Sequence, residues 1–217
     1  MPLSAAGTTQ PCWALSDRPQ GRNFLVHTTN GGRTWTQVLP ATSPSTDISF
    51  VAAADGFGLG LPADGHAVLT TTDGGRSWRP LATLPSDLRA TSMSFVDDLH
   101  GWILGTTTGS AAQVEVLATG DGGRTWQAMA VSVPASSPEI VGLPGGSAAI
   151  MSFGTLLVVR PDGSTTVVKI QGTDMSALMV AGIVPVSVSP SLEFFLPGVG
   201  LFGSPWGSHM RIQGPLP

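Results

Sequence analysis

Three times in this chain the same eight-residue pattern returns: Thr28-Thr29-Asn30-Gly31-Gly32-Arg33-Thr34-Trp35, Thr71-Thr72-Asp73-Gly74-Gly75-Arg76-Ser77-Trp78 and Thr119-Gly120-Asp121-Gly122-Gly123-Arg124-Thr125-Trp126. The copies are 43 and 48 residues apart, a period range that belongs to propellers, solenoids and arrays. Other landmarks keep nearly the same step. Trp13, Phe57 and Trp102 are 44 and 45 residues apart, and Phe50 and Phe95 are 45 apart. What repeats is therefore a whole structural unit and not an isolated turn.

Within a unit the apolar residues form short runs broken by turn residues, which reads as strands. In the second unit the runs are Thr46–Val51, Phe57–Gly60 and His66–Thr70, with a turn at Ala54-Asp55-Gly56. The third repeats the order with Thr91–Val96, the turn Asp97-Asp98-Leu99-His100, Gly101–Gly105 and Val114–Ala118. Cys12–Asp17, Asn23–His27 and Thr36–Leu39 do the same in the first. Beyond Pro134 the pattern weakens. Glu139–Leu143, Ala148–Met151, Leu156–Val159 and Asp162–Thr166 read as a fourth unit whose turn has lost its tryptophan, Asp162 following Asp121 by 41 residues. Val186–Leu196 has the spacing of Ser49–Gly60, with Phe194 in the place of Phe57 and a turn expected near Ser204–Gly207. Four strands per unit at this period predict an all-β chain, a β-propeller of four-stranded antiparallel blades. About five units are expected, three clear and two degenerate, in one domain over 1–217 divided near 1–40, 41–84, 85–131, 132–172 and 173–217, as a partial or minimal ring. No stretch keeps a 3.6-residue apolar period, so helices should be few.

Composition narrows the partners. Charged residues are 11% of the chain while 28 glycines and 18 prolines punctuate it, a balance that suits short strands and tight turns. Hydrophobic residues reach 41% and net charge is only -4, which argues against disorder. Nine arginines and one lysine, Lys169, form no basic run, so nucleic acid is not an expected partner, and the acidic balance gives no attraction to an anionic membrane. Leu178–Phe202, the most apolar region, is cut by Pro185, Pro190 and Pro197 and carries Glu193, so no membrane insertion is expected. Cys12 is the single cysteine, expected as a small buried residue beside Trp13. Met1–Gln10 has neither a basic nor an apolar leader segment, so no signal peptide is read there.

The pattern itself has the chemistry of a hairpin turn. Paired glycines such as Gly31-Gly32, Gly74-Gly75 and Gly122-Gly123 supply positive φ, and Asn30, Asp73 and Asp121 can accept backbone N–H bonds across the loop. Thr28, Thr34, Thr71, Ser77, Thr119 and Thr125 can bond across it, with Gly32, Gly75 and Gly123 closing it. Trp35, Trp78 and Trp126 are expected to carry an apolar face into the contact between blades, each burying about 150–250 Å². One carboxylate per turn builds neither a catalytic pair nor an oxygen cage, so these are read as structural residues. His27, His66, His100 and His209 are dispersed, no metal-ligand spacing is present, and Gly145-Gly146-Ser147 has no following lysine to make a phosphate loop. No catalytic residue, metal or cofactor is expected.

The three octamers resemble the Asp-box, or BNR, repeat found on β-propellers of sialidases, some glycoside hydrolases, sortilin-type receptors and the photosystem II stability/assembly factor. The fuller run Ser94-Phe95-Val96-Asp97, His100-Gly101-Trp102 and Thr119–Trp126 is most similar to the assembly-factor branch, over residues 11–130. Asn30 departs from it by keeping the acceptor without the charge. The resemblance implies an extracytoplasmic or secreted propeller, commonly of six to eight blades.

Two classes of function follow. The first is a non-catalytic scaffold or binding module that recognises a protein or glycan through loops between blades, with Asp97, Asp98, His100 and Trp102 as candidate contacts. The second is a glycoside hydrolase. Sialidase-like enzymes use a tyrosine nucleophile, and this chain has no tyrosine, so that branch is set aside. A two-carboxylate hydrolase would have to draw on Asp55, Asp64, Asp97, Asp98, Glu115 or Glu139. An incomplete ring would also expose sheet edges, for which a homo-oligomer is the expected cover.

Overall fold

A computed structural model describes residues 3–5, 12–16, 24–30, 33–38, 44, 46–60, 66–109, 113–133, 139–143, 145–152, 155–169, 184–188, 192–196 and 208–212. The described chain is all-β and divides into two compact units, Met1–Ala130 and Val131–Pro217.

The first unit holds three four-stranded sheets. They are β1 (Leu3–Ala5), β2 (Cys12–Ser16), β3 (Phe24–Thr28) and β4 (Thr36–Val38); then β5 (Asp47–Phe50), β6 (Gly56–Leu59), β7 (Ala67–Thr71) and β8 (Arg79–Thr83); then β9 (Leu88–Phe95), β10 (Gly101–Thr107), β11 (Val114–Thr119) and β12 (Gln127–Met129). Each is an antiparallel meander whose spatial order is its chain order, which makes it a propeller blade. The second unit holds a four-stranded meander of β13 (Glu139–Gly142), β14 (Ala148–Ser152), β15 (Thr155–Val159) and β16 (Thr165–Lys169). It also holds β17 (Val184–Val188), β18 (Leu192–Leu196) and β19 (Ser208–Ile212), paired in that order. Ser204–Gly207, the turn expected for the last unit, lies outside the described residues, as does the side chain of Cys12.

Register explains the repeating aromatics. Trp13 pairs with Ser4, Phe57 with Ser49 and Trp102 with Ser94, so the three rings occupy one position in three sheets. The next pair along is Phe50 with Gly56 and Phe95 with Gly101. A Cβ on Gly56 would lie 2.7 Å from the Phe50 ring, and one on Gly101 would lie 2.6 Å from that of Phe95, so only glycine fits beneath these rings. The first sheet has Ala5 opposite Cys12 at this position, with neither ring nor glycine.

Between blades the rings stack. Trp13 lies on Phe50 with centroids 4.0 Å apart and planes within 6°, and Phe57 lies on Phe95 at 3.5 Å and 5°. Trp78 meets Phe50 edge-on at 5.9 Å, and Trp126 meets Phe95 likewise; such pairs add about 0.5–1.5 kcal/mol beyond burial. The sequence expectation that all three octamer tryptophans fill the blade contacts needs correction at Trp35, which is 43% exposed while Trp78 is 7% exposed. Its sheet carries Ala5 where the others carry phenylalanine, so no aromatic ring stands at that position to receive it.

A second seam is polar. Asp47 is buried, its Oδ2 accepting the Met93 N–H of the next blade at 2.8 Å and its Oδ1 accepting the Ile48 N–H at 2.8 Å. Two residues on, the Ser49 hydroxyl oxygen accepts the Phe95 N–H at 2.9 Å. These bonds occupy N–H groups on β9, the edge strand of its sheet, which would otherwise be left buried and unpaired.

Candidate functional site

Each octamer closes the hairpin between the third and fourth strands of its blade. In the third blade the Gly123 N–H donates to the Thr119 hydroxyl at 3.0 Å, and the Thr119 hydroxyl donates to Asp121 Oδ1 at 2.8 Å. The Thr125 N–H reaches Asp121 Oδ1 at 3.0 Å, its hydroxyl reaches Oδ2 at 2.6 Å, and the Arg124 guanidinium donates to the Asp121 carbonyl. Trp126 is held by its indole N–H on the Gly123 carbonyl at 3.1 Å. The second blade repeats the set with Thr71, Asp73, Gly75, Ser77 and Trp78. Hydroxyl and backbone donors from Thr125, then the Thr119 hydroxyl, hold the Asp121 carboxyl at about 2. The Ser77 hydroxyl and N–H do the same for Asp73, also at about 2. Both are fixed anions whose lone pairs serve the turn.

In the first blade the same loop reverses one bond. Thr34 N–H donates to Asn30 Oδ1 at 3.0 Å as in the other boxes, but Asn30 Nδ2 donates to the Thr34 hydroxyl at 2.7 Å, where Asp73 and Asp121 accept from one. In the fourth blade Asp162 accepts the Ser164 N–H at 2.9 Å, and the Ser164 hydroxyl and N–H hold its carboxyl below the ordinary value, in a shorter hairpin between β15 and β16.

The octamer turn also docks on the first hairpin of its own blade. Gly74 N–H donates to the Ala54 carbonyl and Gly122 N–H to the Leu99 carbonyl, each at 2.9 Å. Both glycines have φ near +75°, and a Cβ on Gly122 would lie 2.7 Å from the Asp98 carbonyl oxygen. This places Asp97, Asp98, Leu99 and His100 beside residues 120–123 at one end of the third blade.

The 97–100 turn has an internal counterpart in 52–55. Val51 N–H donates to the Asp55 carbonyl at 3.1 Å, as Val96 N–H donates to that of His100 at 2.9 Å. Ala52-Ala53-Ala54-Asp55 thus folds the same turn as Asp97-Asp98-Leu99-His100, so the charges of the third blade are not needed to form it. Asp97 Oδ1 accepts the Leu99 and His100 N–H groups at 2.8 and 2.7 Å, and His100 Nδ1 lies 3.0 Å from both carboxylate oxygens. Desolvation pushes the Asp97 carboxyl up, but bonds from His100 and Leu99 outweigh it and leave the group below its ordinary value. Asp98 and Leu99 are exposed. Trp102, in contrast, is 1% exposed, so its proposed contact role gives way to a place in the core, because strand β10 turns its ring inward at the position of Trp13 and Phe57. Leu99 was not singled out from sequence; only its exposure marks it.

Among the other carboxylates, Asp55 is exposed at its turn, Glu115 is half-buried on β11, Glu139 opens β13, and Asp64 lies outside the described residues. His27 lies 6.4 Å from the Trp13 ring, and His66 Nδ1 is 3.1 Å from the Leu88 carbonyl oxygen. Among the described residues no three His, Cys, Asp or Glu side chains converge as a metal site would require. Gly145-Gly146-Ser147 forms the β13–β14 turn, with the Leu143 N–H on the Ser147 carbonyl at 2.7 Å.

The family model of the photosynthesis system II assembly factor YCF48 matches residues 37–165, more than half of the chain. The chain belongs to the YCF48 family. The matched span takes in both Asp-containing octamers and the 97–100 turn. A solved structure of YCF48 bound to D1 peptide is 25% identical with a TM-score of 0.51, covering 74% of this chain and 50% of that one. YCF48 from Cyanidioschyzon merolae is 21% identical with a TM-score of 0.51, covering 83% and 60%. The GH74 xyloglucanase of Xanthomonas campestris is 18% identical with a TM-score of 0.56, covering 97% and 30%, and shares the fold. The chain therefore spans about half of the YCF48 structures it matches. No curated protein sequence matches it.

Proposed function

We propose that this chain is a polypeptide-binding propeller, and that the end of the third blade formed by Asp97, Asp98, Leu99 and His100 contacts its partner. The observation that carries the reading is the pair of equivalent turns. The 52–55 turn closes with the same valine-to-carbonyl bond while carrying alanines, so the exposed Asp98 and Leu99, beside the Asp97–His100 pair, are available for recognition. Asp97 is an anion at neutral pH, and an exposed leucine beside two carboxylates suits a peptide with a basic residue next to an apolar one. Membership in a family with a peptide-bound solved member supports the class of ligand.

The test transplants the second blade's turn into the third, as Asp97→Ala, Asp98→Ala, Leu99→Ala and His100→Asp together, so that the protein receives a turn it already folds. Fluorescence anisotropy with labelled D1 peptide should show at least a tenfold weaker complex, about 1.4 kcal/mol, at an unchanged melting temperature. Equal binding by the transplant would remove the site. The hydrolase and glycan reading rests on fold likeness alone; turnover of an aryl glycoside that is abolished by Asp→Asn at Asp55, Asp97 or Asp98 would replace the peptide reading.

A further inference from the structure

The outer strands of the four-stranded blades differ in how they discourage a further strand. β4 and β12 are three residues long. β8 carries Pro80, and its pairing with β7 shifts register between Val68 and Leu69. Short strands, proline and bulges are the usual guards of an exposed edge. Among the described residues β16 has none of these three, and of the charged side chains that also guard edges it carries one, Lys169, at its end. It runs Thr165-Thr166-Val167-Val168-Lys169, pairs with β15 along its whole length without a register shift, and is the last strand of its sheet among the described residues. At its centre Val167 is 58% exposed.

The hairpin bond fixes which backbone groups are free to pair. Arg160 N–H donates to the Ser164 carbonyl at 2.9 Å. Because bonded pairs alternate along an antiparallel ladder, Thr166 opposite Val158 and Val168 opposite Leu156 bond inward. The N–H and C=O groups of Thr165, Val167 and Lys169 therefore point away from the sheet.

We propose that β16 pairs with β16 of a second copy of this chain, antiparallel and centred on Val167. The register is self-complementary. Val167 lies opposite Val167 of the second copy, and Thr165 lies opposite Lys169, so every outward residue exchanges both its bonds with its opposite. In this register position 169 of each copy lies opposite position 165 of the other, so the two lysine positions fall at opposite ends of the pairing. The facing valines supply an apolar contact at the centre. The proposal is independent of the peptide site, which lies in the other compact unit.

Sedimentation velocity on the full chain across a wide concentration range should show the weight-average coefficient rising from monomer to dimer. Val167→Pro removes an outward N–H and no bond to β15, so it should stay monomeric with wild-type melting; Val167→Lys, which sets two ammonium groups opposite each other, should also stay monomeric. Amide exchange at Thr165, Val167 and Lys169 should slow only at the concentrations where dimer forms. A wild-type monomer throughout the range, a Val167→Pro variant that dimerises equally, or protection of those amides in dilute monomer, meaning that another segment of the same chain covers the edge, would each overturn the proposal.

Discussion

Asp47→Asn tests the polar seam between the second and third blades. The native carboxylate serves two buried N–H groups at once, Ile48 through Oδ1 and Met93 through Oδ2, both at 2.8 Å. Asparagine has nearly the same shape but a single acceptor oxygen. Whichever way its amide turns, its NH₂ faces one of the two N–H groups, donor against donor. Leaving one buried donor without an acceptor costs about 1–3 kcal/mol, so about 2 kcal/mol is expected for Asn and about 4 kcal/mol for Ala, which strands both. At about 3 °C per kcal/mol for a chain of this size, the melting temperature should fall by about 6 °C and about 12 °C. Ser49→Ala, which removes the acceptor of one N–H, should cost about 1–2 kcal/mol. Calorimetry gives the totals, and amide exchange shows where the loss falls, with Met93 accelerated more than residues of the second unit. An Asp47→Asn protein melting within about 1 °C of wild type would refute the two-acceptor account.

The octamer carboxyls carry an acid dependence. Asp73 and Asp121 are held at about 2 in the fold against an ordinary 3.8, so their stabilisation is complete above the ordinary value and lost as pH falls from about 4 to about 2; melting against pH should show this, and Asp121→Asn should flatten it. Asn30→Asp should extend the same acid dependence to the first blade, read in the same scans. Gly101→Ala sets a Cβ 2.6 Å from the Phe95 ring and should destabilise by about 1–3 kcal/mol through overpacking, checked by urea unfolding. Trp78→Ala should cost about 3–5 kcal/mol, whereas Trp35→Ala, at 43% exposure, should cost less than about 1 kcal/mol.

The propeller class could be read from the chain because a repeated octamer and four apolar runs per period leave few other architectures open. The turn bonds were legible for a related reason. Thr119, Asp121, Gly123 and Thr125 lie within seven consecutive residues, so residue type at fixed spacing nearly specifies who bonds to whom. Asp97 and His100 could be noticed as a charged turn, but that alanines at 52–54 close the same turn without the Asp97 side-chain bonds emerged only when 97–100 was laid beside 52–55 as a backbone.

What the sequence alone determined is thus the local grammar: the period, the hairpins, and the membership announced by the octamers. Tertiary structure decided which residues meet across blades. Asp47 bonds Met93 and Ser49 bonds Phe95 over 46 residues, and nothing near Asp47 in the chain marks it as buried. From sequence Trp35 is expected in a blade contact and Trp102 among the binding contacts, yet Trp35 is 43% exposed and Trp102 is core. The reason is physical: a turn bond spans about one loop and is set by neighbours, whereas burial depends on which ring, glycine or alanine the register brings opposite from a strand elsewhere in the chain.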